Sequence, residues 1–155
     1  MKILFLIIAL SITLLGMEKP QPLLDSISQH AIRIGDGKVN NVYVFIDPLC
    51  RYSKKYIKEL ILDDELLKEN SYYIFLYRLP KFASDRIIQY IYQSEDPLTL
   101  LEDMMIYEEE IDFDGFSVSK KTMKIIDDVA VVGKKIEANI RPYIITLPAS
   151  AVPSE

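Results

Sequence analysis

The sequence predicts an α/β domain, a central sheet covered by helices, and three observations carry that reading. Three runs rich in β-branched and aromatic residues, Val42–Ile46, Ser71–Leu79 and Tyr143–Leu147, contain no glycine or proline, as in buried strands. Between them, apolar residues recur every three or four positions, the period of an amphipathic helix. The only cysteine, Cys50, stands where the first of these strands passes into a helix. Helices between strands require a sheet with helical cover.

Each element follows from its local chemistry. Lys2 precedes an uncharged apolar run, Ile3–Gly16, which is shorter than the roughly 20 residues a membrane span needs and fits the core of a secretory signal peptide over 1–16. The expected address is the periplasm, with an uncleaved membrane anchor as the alternative. Residues 17–30 read as a linker and N-terminal arm: Pro20 and Pro22 interrupt regular structure, and Asp25–His30 starts a short helix. The domain proper is expected over 31–147. Ala31–Ile34 alternates like an edge strand, and Gly35-Asp36-Gly37 supplies a turn before the Val42 strand.

A helix over Ser53–Ile61 and a further helical turn at Asp63–Leu67 lead into the second strand, which Pro80 closes. Phe82, Ile87, Ile88, Ile91 and Tyr92 mark the next helix. Asp96-Pro97 opens another through an N-cap and an N1 proline, and Ser119 caps a third that carries Met123, Ile126, Val129, Val132, Ile136 and Ile140. These helices form an insertion before the Arg141-Pro142 loop. Residues 148–155, with Pro148 and Pro153, are a tail.

The 155 residues suffice for one domain with one sizeable core, and 50% hydrophobic with 26% charged residues is a globular composition. A formal net charge of -5 argues against nucleic acid as a partner, so Lys120-Lys121 and Lys134-Lys135 read as solvated helix faces. In an oxidising compartment a structural disulfide needs two cysteines. Cys50 is therefore either idle or works between molecules.

The segment Asp47-Pro48-Leu49-Cys50-Arg51-Tyr52-Ser53-Lys54-Lys55 holds the candidate chemistry. A thiol at a strand-to-helix junction faces unpaired backbone N–H groups and the positive helix end, which favour the ionised sulfur. This pattern resembles the active-site segment of the thioredoxin-like superfamily, in particular of bacterial periplasmic disulfide isomerases of the DsbC and DsbG type. The resemblance covers roughly Asn40–Leu147. It implies a thioredoxin-like fold, Cys50 as nucleophile and Pro142 as a cis-proline beside the sulfur, with Tyr52, Arg141 and Pro142 as the substrate-binding residues. Ser53 stands where that family has its resolving cysteine, which gives a monothiol Cys-x-x-Ser form.

A dithiol enzyme leaves its mixed disulfide through its second sulfur, a step the Ser53 hydroxyl cannot perform. Ser53 can donate a hydrogen bond to the Cys50 thiolate, or serve only as a helix N-terminal residue. The reading is an exported thiol–disulfide exchange protein, isomerase- or reductase-like. Its partners are exported proteins with cysteines or disulfides, together with an external thiol or redox partner. The competing class is a redox-inactive binding or chaperone-like module that keeps the fold.

No cofactor or metal is expected, because one cysteine and His30, the only histidine, make a poor ligand set. Asp47 reads as a turn former before Pro48. The carboxylates Glu108-Glu109-Glu110, Asp112 and Asp114 read as a solvated helix end, or as a device for selecting partners. A thioredoxin sheet normally adds a strand and a helix after the position of Tyr143–Leu147. The C-terminus therefore reads as shortened, and either a homodimer through this edge or a longer functional chain is expected.

Overall fold

A computed structural model describes residues 19–149, so the signal-peptide reading of 1–16 and most of the tail lie outside the described residues. The chain runs α1 (Pro20–Ile27), a 3₁₀ turn (Ser28–His30), β1 (Ile32–Ile34), β2 (Asn40–Ile46), α2 (Arg51–Ile61), α3 (Asp64–Glu69) and β3 (Asn70–Leu76). It continues through α4 (Asp85–Gln93), α5 (Pro97–Met105), α6 (Lys120–Lys135) and β4 (Tyr143–Pro148). The sheet order is β1-β3-β2-β4. Strands β2 and β3 are parallel, in register from Asn40↔Asn70 to Ile46↔Leu76, while β1 and β4 add antiparallel edges. A parallel pair needs a crossover, which α2 and α3 supply.

Both sheet faces are covered, which is why β2 reads as a continuous apolar run. Val42, Val44 and Ile46 face one way, with Ile57 and Leu60 of α2, Ile88 and Ile91 of α4, and Leu101 and Met105 of α5. Tyr43 and Phe45 face the other way, against Leu24 and Ile27 of α1 and Val129 and Val132 of α6. On that face the Phe45 and Phe75 rings stack with centroids 5.0 Å apart. Burying each such side chain contributes about 1.5–3 kcal/mol.

Caps place the helices as the sequence predicts. Asp96 accepts the Thr99 N–H at 3.1 Å with Pro97 at the first turn, and Ser119 accepts the Thr122 N–H at 3.1 Å. The linker reading of the N-terminal arm is corrected. Pro20–Ile27 is helical, because a proline in the first turn lacks only an N–H that has no partner there. Leu24 and Ile27 are buried in the core, so this part of the arm belongs to the domain. The second strand ends at Leu76 rather than Leu79, although the Tyr77 N–H still reaches the Ile46 carbonyl at 2.8 Å.

Candidate active site

The turn that carries Cys50 is built by Asp47. Its carbonyl accepts the Cys50 N–H at 2.9 Å, and its side-chain Oδ1 accepts the Leu49 N–H at 2.9 Å. This is the expected turn role. The carboxylate is also fully buried, and Oδ2 accepts the Leu79 N–H at 2.7 Å and the Ser84 hydroxyl at 2.9 Å. Asp47 therefore ties the cysteine turn to the connection between β3 and α4. These long-range bonds leave no sequence signal, since Leu79 and Ser84 look like ordinary loop residues.

Cys50 is the N-cap residue of α2 and is 3% exposed. Its Sγ donates to the backbone carbonyl of Arg141 at 3.8 Å, and the Arg141–Pro142 peptide bond is cis. Two segments 91 residues apart in sequence thus meet at the sulfur.

The Arg141 side chain turns inward. Nε donates to the Tyr77 carbonyl at 2.7 Å, and Nη1 donates to the Ala138 and Ile140 carbonyls, each at 2.6 Å. The guanidinium also lies 4.2 Å from the centre of the Tyr77 ring. Burial lowers its pKa, opposed by Tyr77, Asp47 and Cys50. Of the two parts of Arg141, only the backbone faces the sulfur. The side chain is a buried strut and not a surface contact for substrate.

Ser53 is fully buried, and its Oγ accepts the Asp47 N–H at 3.3 Å. Its hydrogen bond therefore braces the turn and runs to that amide, not to the thiol. Tyr52 is 56% exposed beside the turn, and its hydroxyl accepts from Arg51 Nη2 at 2.6 Å. His30 lies against α6, with Nε2 3.3 Å from Asp128 Oδ2.

Tyr77 and Gly133 are the positioning residues that periodicity did not reveal. A Cβ on Gly133 would meet the Tyr77 ring at Cε1 and at Cδ1, the latter at 2.6 Å. The glycine in mid-α6 makes room for the ring that carries Arg141. A buried glycine inside a strongly periodic helix was the available signal.

The fold joins a parallel β-α-β unit, a cysteine at the N-terminus of its helix, and a cis X-Pro bond before an antiparallel strand. No protein-family model and no curated protein matches the chain. Solved structures do. The disulfide interchange protein from Neisseria gonorrhoeae superposes with a TM-score of 0.60 at 21% identity, over 81% of this chain and 89% of that one. The fold is thioredoxin-like. The catalytic domain of Proteus mirabilis ScsC matches with a TM-score of 0.65 at 18% identity, over 87% of this chain and 92% of that one. Helicobacter pylori DsbG matches with a TM-score of 0.61 at 17% identity, over 83% of this chain and 60% of that one.

Within this thioredoxin-like frame α4, α5 and α6 all lie between β3 and the cis-proline loop, where the sequence places the helical insertion. Among the described residues, no helix is long and apolar enough to cross a membrane.

Proposed function

We propose that the chain is an exported monothiol thiol–disulfide exchange protein that acts on protein disulfides through a mixed disulfide at Cys50. One observation carries this reading: Cys50 occupies the N-cap position of α2, and its sulfur lies 3.8 Å from the carbonyl of the residue before the cis-proline. The names of the similar structures, a disulfide interchange protein and a DsbG, support the same reading.

The chemistry balances without a second cysteine. The Cys50 thiolate attacks one sulfur of a client disulfide; a Cys50–client bond forms, the client S–S bond breaks, and the other client sulfur leaves as a thiolate. For isomerisation, a different client thiolate then attacks the client sulfur of the mixed disulfide and expels the Cys50 thiolate. For reduction, a small external thiolate attacks the Cys50 sulfur and expels the second client thiolate. A second external thiolate then takes the first as an external disulfide and frees the Cys50 thiolate. The number of disulfides is conserved, so the outcome is isomerisation or reduction at the expense of the external thiol. Tyr52, exposed in the first turn of α2, and the Arg141-Pro142 backbone are the surfaces a client segment would meet. Ser53 braces the Asp47 turn by accepting the Asp47 N–H, and in this reading its O–H turns to the Cys50 sulfur when the thiol ionises.

The burial of Cys50 supports a second reading, a redox-inactive binding module of the same fold. Trapping decides between them. Incubation with a disulfide-bonded client should give a Cys50 mixed disulfide that a small thiol releases and that Ser53→Cys shortens in lifetime. No adduct under conditions where the client itself is reducible leaves the binding module. The homodimer expected from the sequence would pair through β4, an edge strand on which Ile144 is 43% exposed. Sedimentation as a monomer at micromolar concentration would remove it.

A further inference from the structure

The exchange chemistry leaves the acidic stretch after α5 without a task. A cleft of about 320 Å³ opens between that stretch and the cysteine turn. Its apolar lining includes Leu49, Ile87, Met104, Ile111 and Phe113, and its charged lining is Glu108, Glu109, Glu110 and Lys54, with the Arg86 guanidinium 5.1 Å from the Phe113 ring. Leu49 is 37% exposed and immediately precedes Cys50 in the chain, so the cleft is continuous with the thiol's turn.

This lining is held in place. The Glu109 N–H donates to the Asp103 carbonyl at 3.0 Å, and Arg86 Nη2 donates to the Phe113 carbonyl at 3.0 Å. The Phe113 ring meets Tyr90 edge-on at 5.4 Å. Lys54 Nζ pairs with Glu108 Oε1 at 3.7 Å, and among the described residues neither Glu109 nor Glu110 has an ion pair. Three consecutive carboxylates past a helix C-terminus oppose its dipole and repel one another, so helix stability does not account for them. Nor do the carboxylates converge on a point: among the described residues no group of three or more His, Cys, Asp or Glu could hold a metal ion. The negative charge is spread along the cleft beside its apolar lining.

We propose that this cleft receives the client segment next to the reacting disulfide, and that it selects segments combining an apolar side chain with lysine or arginine. The apolar side chain covers the apolar lining, and the cation meets Glu109 and Glu110. This inference rests on the exchange reading of Cys50. Such charges act mainly on the encounter rate, and salt screens them over about 10 Å at 0.1 M.

The test uses two disulfide peptides of identical sequence except for a flanking Lys-Lys or Glu-Glu pair, with bis(2-hydroxyethyl) disulfide as a neutral probe. For the wild-type chain at low ionic strength, mixed-disulfide formation should be about 10-fold faster with the lysine peptide than with the glutamate peptide. That ratio should shrink toward one as salt is added. The combined variant Glu108→Gln, Glu109→Gln, Glu110→Gln should bring the ratio within about two-fold at low salt, a self-normalised readout that does not depend on the amount of folded protein. A wild-type chain that reacts with the neutral probe yet treats both peptides alike overturns the cleft inference and leaves the exchange reading intact. A preference that survives the triple substitution also overturns it. A chain that reacts with none of the three disulfides overturns both readings.

Discussion

The Cys50 sulfur and the Arg141 carbonyl oxygen lie 3.8 Å apart, and each belongs to a segment held by its own set of buried hydrogen bonds. Asp47 and Ser53 hold the cysteine turn, while the Tyr77 ring and the backbone carbonyls of Tyr77, Arg78, Ala138 and Ile140 hold the Arg141 guanidinium. Because Arg141 spends its side chain on this anchoring, its backbone is what remains at the sulfur.

Asp47→Ala should destabilise the domain by about 2–4 kcal/mol, because it removes a buried carboxylate and strands the Leu49 and Leu79 N–H groups and the Ser84 hydroxyl. Urea unfolding measures this. Asp47→Asn keeps one acceptor oxygen and should cost less. A loss below about 1 kcal/mol for the alanine variant would mean that water replaces these bonds without penalty.

Gly133→Ala reverses an ordinary rule. In an exposed helix the change gains about 1 kcal/mol. Here the added carbon meets the Tyr77 ring, and overpacking should turn the gain into a loss of about 1–3 kcal/mol. Adding Tyr77→Leu should recover part of that loss, so the double variant is less unstable than the two single effects summed. Strict additivity would show that the ring and the helix are not coupled.

The sheet and its helices were legible because each rests on local pattern, whereas the meeting of Cys50 with the Arg141-Pro142 loop followed from the family resemblance alone. Val42–Ile46 announces a buried strand, Asp96-Pro97 and Ser119 announce helix starts, and Cys50 and Arg141-Pro142 stand at junctions between elements. What the pattern misled about was Pro20–Ile27, where prolines that break a helix interior instead begin a helix. What it concealed was every partner chosen by tertiary approach. Nothing near Asp47 in sequence points to Ser84, and a serine three residues after a cysteine does not reveal whether its oxygen serves the sulfur or the Asp47 amide.

Stability should fall in alkali through Tyr43. Burial first and the Asp25 carboxylate second raise its pKa from 10.0 to about 12. The unfolded chain therefore loses the phenolic proton at lower pH than the folded one. The contribution is intact below 10.0 and is lost as the pH rises through the window to about 12. Tyr43→Phe should flatten part of this decline in urea midpoints, with the remainder left by Tyr56, Tyr72 and Tyr92, which burial also raises. An unchanged slope would place the alkaline sensitivity elsewhere.

Export predicts a mature N-terminus near Met17, read by sequencing the protein recovered from the periplasm of an expressing bacterium. Intact Met1 on soluble cytosolic protein would contradict the export reading and leave the thioredoxin-like fold untouched.

The central claim is that Cys50 exchanges with client disulfides, and intact-mass spectrometry of the quenched reaction tests it most directly. After incubation with a disulfide-bonded client and acid quenching, the wild-type chain should carry one client molecule, attached at Cys50 and released by a small thiol. Cys50→Ala should carry none. A wild-type chain that stays at its own mass while the same client is opened by a small free thiol would contradict the account, and would make the buried sulfur a packing group on a thioredoxin-like binding module.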